Sequence, residues 1–199
     1  QVANRHLRSA IDKVIMGEKL NRLPGLTEKR RIAVHEAGHA LVSEIVQPGS
    51  VASVNVASRG KALGYVRQTQ EDDIYLYTES YLKGKIAVAL AGAVAEELEL
   101  GSKSTGAGND FKQAAEMARQ IIFSGMSGLG IISVDDIPRE TLHNAITALL
   151  RDTEIVVQSY LNTHQDALTD IVEALLENET ITGDEFRKIL SKHVCENCA

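Results

Sequence analysis

Apolar residues recur at helical spacing over most of this chain, with one short interval of strand-like alternation. Between Leu7 and Met16 an apolar stripe of Ile11, Val14 and Ile15 predicts a helix ended by Gly17, and Asn21 to Gly25, with Pro24, reads as a linker. An apolar helical run then spans Ile32 to Val46, with a first turn near Thr27 or Glu28 and a stop at Pro48-Gly49-Ser50. Its Ile32, Ala33, Ala37, Ala40, Leu41 and Ile45 leave little polar face, so most of this helix should be buried. Val51 to Ala57 alternates apolar and small polar residues, Arg59-Gly60-Lys61 turns, and Leu63 to Gln68 continues extended, which predicts a β-hairpin. Thr78 opens a second long helix, carried by Ile86, Val88, Leu90, Val94 and Leu98 to a C-cap at Gly101. Gly92 and the alanines around it predict close packing against a neighbouring helix.

After Gly101 comes a loop of small residues to Asn109, then a helix from about Asp110 to Ser124, then an irregular glycine-rich stretch from Gly125 to Pro138, expected to be mobile in part. The remainder reads as amphipathic helices, one with Leu142, Ile146, Leu149 and Leu150 on a face and another marked by Ile171, Ala174, Leu175 and Leu176. Thr182 and Glu185 form a capping box for the last, Asp184 to Ser191. The fold class is therefore mainly α: a multi-helical domain with a small β-hairpin or sheet and a C-terminal helical bundle.

The 199 residues, 44% hydrophobic and 24% charged, suit one globular domain, or one with a helical appendage. A net charge of −6 without a basic, aromatic-interleaved cluster argues against nucleic acid as a partner. No apolar run reaches the roughly eighteen residues of a membrane span, so this stretch of chain is expected to be soluble. The chain begins at Gln1, inside a helical pattern, as a piece of a longer protein would. Cys195 and Cys198, preceded by His193, are too few ligands on a terminal tail for a metal cage, and a reduced tail is the expectation.

The buried-looking helix carries the chemistry. His35-Glu36-Ala37-Gly38-His39 is an H-E-x-x-H motif, and residues four apart on a helix lie about 40° apart around its axis, so both imidazoles face one way. They can take two corners of a tetrahedral zinc ion, while Glu36 is placed to act as general base on the attacking water. This is the pattern of a zincin-like metallopeptidase. Histidines and a glutamate on a buried helix need partners, and a metal is the simplest partner for all three. Val42 and Ile45 stand where a metzincin needs glycine and histidine, so that class is excluded. For the third ligand the residues leave Glu96, Glu97 and Asp110 open. Asp110 has in its favour a helix N-terminus, which keeps a carboxylate ionised, and preceding glycines that allow a close approach. His143 and His164 have no ligand-spaced partners and read as surface or capping residues, and the five tyrosines as packing residues.

Several stretches, in order, resemble one family. They are Ala10-Ile-Asp-Lys-Val-Ile-Met-Gly17, Val34-His-Glu-Ala-Gly-His-Ala-Leu41, Arg59-Gly-Lys-Ala-Leu-Gly-Tyr65, Ile86-Ala-Val-Ala-Leu-Ala-Gly92, Ala95-Glu-Glu97, Ser104-Thr-Gly-Ala-Gly-Asn-Asp-Phe111 and Gly125-Met-Ser127. Together they are similar to the peptidase domain of the FtsH family, membrane-anchored ATP-dependent zinc metalloproteases. The resemblance implies Asp110 as third ligand, so that His35, His39 and Asp110 hold one Zn2+ per chain and Glu36 is the catalytic base. An edge strand within Val51 to Gln68 is the expected substrate-binding element. The chain departs from the family at Ala91-Gly92-Ala93-Val94, where Gly-Gly-Arg is usual, and in a shorter, more glycine-rich segment from Ser127 to Asp136.

By the same resemblance, residues 1–25 would be the tail of a preceding ATPase module and a linker. Residues 26–138 would be the zinc peptidase core, 139–192 a C-terminal helical region and 193–199 a disordered tail. No G-x-x-x-x-G-K-[ST] occurs, so ATP would be bound only by that AAA+ module. The parent is implied to be a homo-hexamer, anchored upstream and working at the cytoplasmic face of a bacterial inner membrane or its plastid or mitochondrial equivalent. Its protein substrates would be unfolded or damaged chains. The alternatives are a free-standing peptidase without ATP coupling and a non-catalytic assembly module.

Overall fold

A computed structural model describes residues 25–56, 64–69 and 75–194. The expected helix at Leu7 to Met16, the turn at Arg59 to Lys61 and the Cys195/Cys198 tail lie outside these residues. Helix α1, Leu26–Val46, is buried from Ile32 through Glu44 except at His35 and His39, which are partly exposed. Helix α2, Glu79–Leu100, starts at an N-cap Thr78, whose hydroxyl accepts from Tyr81 N, and ends on Gly101 at φ 73°.

The two helices run antiparallel, since Gly84 meets Val46, His39 reaches Val88 and His35 reaches Glu96. Small residues set how closely they approach. A Cβ on Gly38 would stand 2.6 Å from Ala95 Cβ and 2.7 Å from the Ala91 carbonyl oxygen, so only glycine fits at this crossing. That closeness is what lets a backbone atom of α2 approach the motif histidines.

Strands β1, Val51–Asn55, and β2, Tyr65–Gln68, pair antiparallel as the alternation predicts, with a register shift between Val51 and Ser53. A third strand, β3 (Thr180–Thr182), pairs on the far side of β1, giving the order β2-β1-β3. The sequence reading did not include β3. Its register is held by Asn55 Oδ1, which accepts from Thr180 Oγ1 at 2.7 Å. Strand β2 therefore has β1 on one side and, among the described residues, no strand on the other.

Helix α3, Gly108–Phe123, follows a short 3-10 turn, Thr105–Ala107. The glycine-rich stretch after it is irregular, with Gly125 and Gly130 at positive φ and one 3-10 turn at Val134–Asp136. Helices α4, Arg139–Thr163, α5, Gln165–Asn178, and α6, Gly183–Val194, follow, so that the described residues form six α-helices and a three-stranded sheet, a mainly α fold. Val157 and Leu161 of α4, Leu168, Ile171 and Leu175 of α5 and Phe186 of α6 join the same core as Ala37, Leu41 and Ile86. The capping box is formed: Glu185 accepts from Thr182 N at 2.7 Å, and Thr182 Oγ1 accepts from Glu185 N at 3.3 Å. No helix of the described residues is long and apolar enough to cross a membrane.

Candidate metal centre

His35 and His39, one turn apart on α1, bring their Nε2 atoms to 3.0 Å from each other. Asp110, in the first turn of α3, places Oδ2 3.4 Å from His35 Nε2 and 3.7 Å from His39 Nε2. The cap position of α3 is Ala107, and the Asp110 side chain lies with the two imidazoles.

The outer nitrogens fix what the inner ones present. His35 Nδ1 lies 2.7 Å from Glu96 Oε1, and His39 Nδ1 lies 2.7 Å from the Val88 carbonyl oxygen. Both partners only accept, so each Nδ1 carries the hydrogen and each neutral imidazole offers a bare Nε2. Two lone pairs and a carboxylate oxygen thus converge on one small volume. Such a set is repulsive unless protons or a cation sit among its members.

The dimensions suit a metal. A tetrahedral zinc ion with arms of about 2.0 Å has donor–donor edges of about 3.3 Å, and the three separations of 3.0, 3.4 and 3.7 Å bracket that edge. Space is left on the α2 side because residue 92 is glycine. A Cβ there would stand 2.6 Å from both His35 Cε1 and His39 Nε2. Close packing at Gly92 was legible in the sequence, but its neighbours are the site histidines themselves. Two imidazoles and a carboxylate, each His anchored through its far nitrogen, form a donor set that zinc favours.

Glu96 is the buried partner behind His35 rather than a member of the cluster. Its side chain is 1% exposed, and Oε1 also accepts from Ser104 Oγ at 3.0 Å. Glu97 faces outward and pairs with Lys103 at 3.1 Å. Sequence spacing alone could not separate these two glutamates from Asp110, because helix pairing decides which of them faces α1.

Glu36 is buried beneath the hairpin. A Cβ on Gly64, just before β2, would stand 2.7 Å from Glu36 Cγ and 2.8 Å from Oε1, so this strand begins directly against the carboxylate. Burial pushes the Glu36 carboxyl up to about 7; the His39 ring opposes that rise and Asp110 adds to it. For His35, burial pulls downward, but the Asp110 and Glu96 carboxylates outweigh it and the net direction is up. For Asp110, burial would raise the carboxyl, yet the imidazoles of His35 and His39 hold it well below the usual carboxylate range. The His35 and Asp110 directions express attraction between imidazoles and carboxylates, whereas the Glu36 direction expresses burial.

The other histidines keep ordinary roles. His164 Nδ1 donates to the Tyr160 carbonyl at the end of α4, His193 pairs with Asp170 at 3.0 Å, and His143 is exposed. Of the tyrosines, Tyr65 is buried and Tyr77 stacks on Tyr81, whereas Tyr75 is 85% exposed and is not a packing residue.

Residues 24–142 match the sequence signature of peptidase family M41. The chain is 38% identical over 199 residues to the ATP-dependent zinc metalloprotease FtsH 2 of Symbiobacterium thermophilum, an alignment covering 92% of this chain and 34% of that protein. It is 36% identical over 203 residues to the ATP-dependent zinc metalloprotease FtsH of Thermobaculum terrenum, covering 91% and 31%. Against the FtsH of Thermotoga maritima it is 38% identical over 216 residues, covering 96% and 35%. The chain spans about a third of the length of these relatives. The signature runs across the motif helix and the Asp110 turn alike, and the chain belongs to peptidase family M41, as a peptidase domain of the FtsH kind.

Proposed function

We propose that His35, His39 and Asp110 hold one zinc ion and that the chain is an endopeptidase in which Glu36 moves the proton. The observation that carries this reading is the convergence of two bare imidazole nitrogens and one carboxylate oxygen, all within 4.8 Å of one another. Bound there, zinc supplies Lewis acidity, lowering the pKa of an attacking water and polarising the scissile carbonyl.

The chain's own residues do the rest. Glu36 takes a proton from the attacking water on its carboxylate and gives one to the departing amine nitrogen, a shuttle suited to a carboxyl pushed up to about 7. Glu96 and the Val88 carbonyl keep both histidines in the tautomer that presents Nε2. The edge of β2 away from β1, along which no described strand pairs, would offer main-chain groups to an extended peptide next to Glu36, a mode that reads backbone more than sequence.

In the parent protein, residues 1–25 would join this unit to an AAA+ ATPase module and a membrane anchor. A hexameric ring would thread unfolded or damaged proteins to residues 26–138 at the cytoplasmic face of the membrane, with 139–192 as a helical C-terminal region. The names of the relatives, which print ATP dependence for those proteins, support this wider reading. The test is casein cleavage by the zinc-loaded chain beside a Glu36→Gln variant. Cleavage that the variant abolishes while keeping its zinc supports the mechanism; full activity in the variant removes it.

A further inference from the structure

We infer that Arg31 is a positioning residue that sets two of the three metal donors at once, an inference that rests on the metal centre proposed above. Arg31 stands one turn before His35 on the same face of α1. Its Nη1 donates to Glu96 Oε2 at 2.7 Å and to the Ser102 carbonyl oxygen at 2.6 Å, and Nη2 lies 3.3 Å from Ser102 Oγ.

Those contacts reach both ends of the donor set. Glu96 is the acceptor that orients His35 through Nδ1, and its buried charge has Arg31 as its permanent cationic partner. Ser102 belongs to the loop between α2 and the turn that delivers Asp110. One guanidinium therefore ties the orientation of the first donor to the path of the chain carrying the third. Lys103 tethers the same loop from outside, bridging Glu97 of α2 and Glu154 of α4 at 3.1 and 2.5 Å. Neighbouring glutamates of α2 thus hold separate cations, Glu96 holding Arg31 beside His35 and Glu97 holding Lys103 at the surface. A planar fork suits the inner position because it meets a carboxylate and a carbonyl together, which a single ammonium does less well. The signal in the sequence is the placement of a basic residue four before the first motif histidine, with Glu96 already suspected near the site.

The test compares the full chain with Arg31→Met and Arg31→Lys. Zinc affinity is measured by chelator competition, the visible spectrum of the cobalt-loaded protein reports donor geometry, and amide exchange of residues 101–110 is followed in metal-stripped protein. Arg31→Met is expected to weaken zinc binding by about 10–100-fold, to change the cobalt bands and to speed exchange in the loop while the core of α1 keeps its protection. Arg31→Lys is expected to restore part of the affinity. Parental affinity and an unchanged cobalt spectrum in Arg31→Met overturn the inference. If Arg31→Met does not fold, Arg31→Lys decides alone: weaker binding with faster loop exchange supports the clamp, and parental values for both overturn it. If the unmodified chain binds neither zinc nor cobalt, the metal reading fails by itself; loop exchange, which needs no metal, still supports the clamp if it speeds and overturns it if it does not.

Discussion

Glu36 shows how burial raises a carboxyl's hold on its proton at a cost in stability. Its carboxyl titrates near 7 in the fold and near 4.5 in an unfolded chain. Above pH 7 both states are ionised and the fold carries the full burial penalty; as pH falls through 7 the folded form gains a proton and the penalty shrinks, vanishing below about 4.5. In zinc-free protein, Glu36→Gln should therefore be more stable than the parent at pH 8, by as much as about 3 kcal/mol. Urea unfolding from pH 8 to pH 5 checks this: the gain must fade as pH drops, and a constant difference would refute the assignment. At Gly92 the neighbouring constraint is space. A methyl group there meets the His39 Nε2 atom, so Gly92→Ala should lose most of its bound zinc while keeping its helical circular dichroism. Full zinc stoichiometry in that variant would show that the imidazoles can turn away without loss.

At the scale of elements, the α1–α2 crossing is the decisive joint. Gly38→Val forces a branched side chain onto Ala95 and the Ala91 carbonyl and should lower the unfolding free energy by about 1–3 kcal/mol or more. The capping box contributes less: Thr182→Ala should lower it by about 1 kcal/mol. Denaturant midpoints at constant slope measure both. These elements also mark how far the sequence could be read. Helix α1, the Thr78 and Gly101 ends of α2, the hairpin and the capping box follow from local pattern, because spacing and caps are local properties. Strand β3 does not: three residues carry no periodicity, and its partner Ser53 to Asn55 is more than a hundred residues away. The same limit applies inside the site. His35 and His39 declare themselves by spacing, whereas Glu96, Glu97 and Asp110 are ranked only by how α2 docks on α1 and α3 on α2, and the resemblance implied Asp110 where the residues alone left all three open.

For the whole molecule, the donor set exists only in the fold, since Asp110 is brought to the histidines by the docking of α3 on α2. A metal that binds only this state must stabilise it: free zinc at a hundred times its dissociation constant adds about 2.7 kcal/mol. Stripping with a chelator should lower the melting temperature and adding zinc back should restore it, with no such response in His39→Ala. The coupling also joins the sheet to the site, because Gly64, just before β2, lies against Glu36, and β1 links β2 to β3 and so to the C-terminal helices. The most direct test of the whole reading is an anomalous-scattering experiment at the zinc edge on crystals of the zinc-loaded chain. A single strong peak bonded to His35 Nε2, His39 Nε2 and an Asp110 carboxylate oxygen is the expected result; zinc held elsewhere, or a peak that Asp110 does not touch, would contradict it.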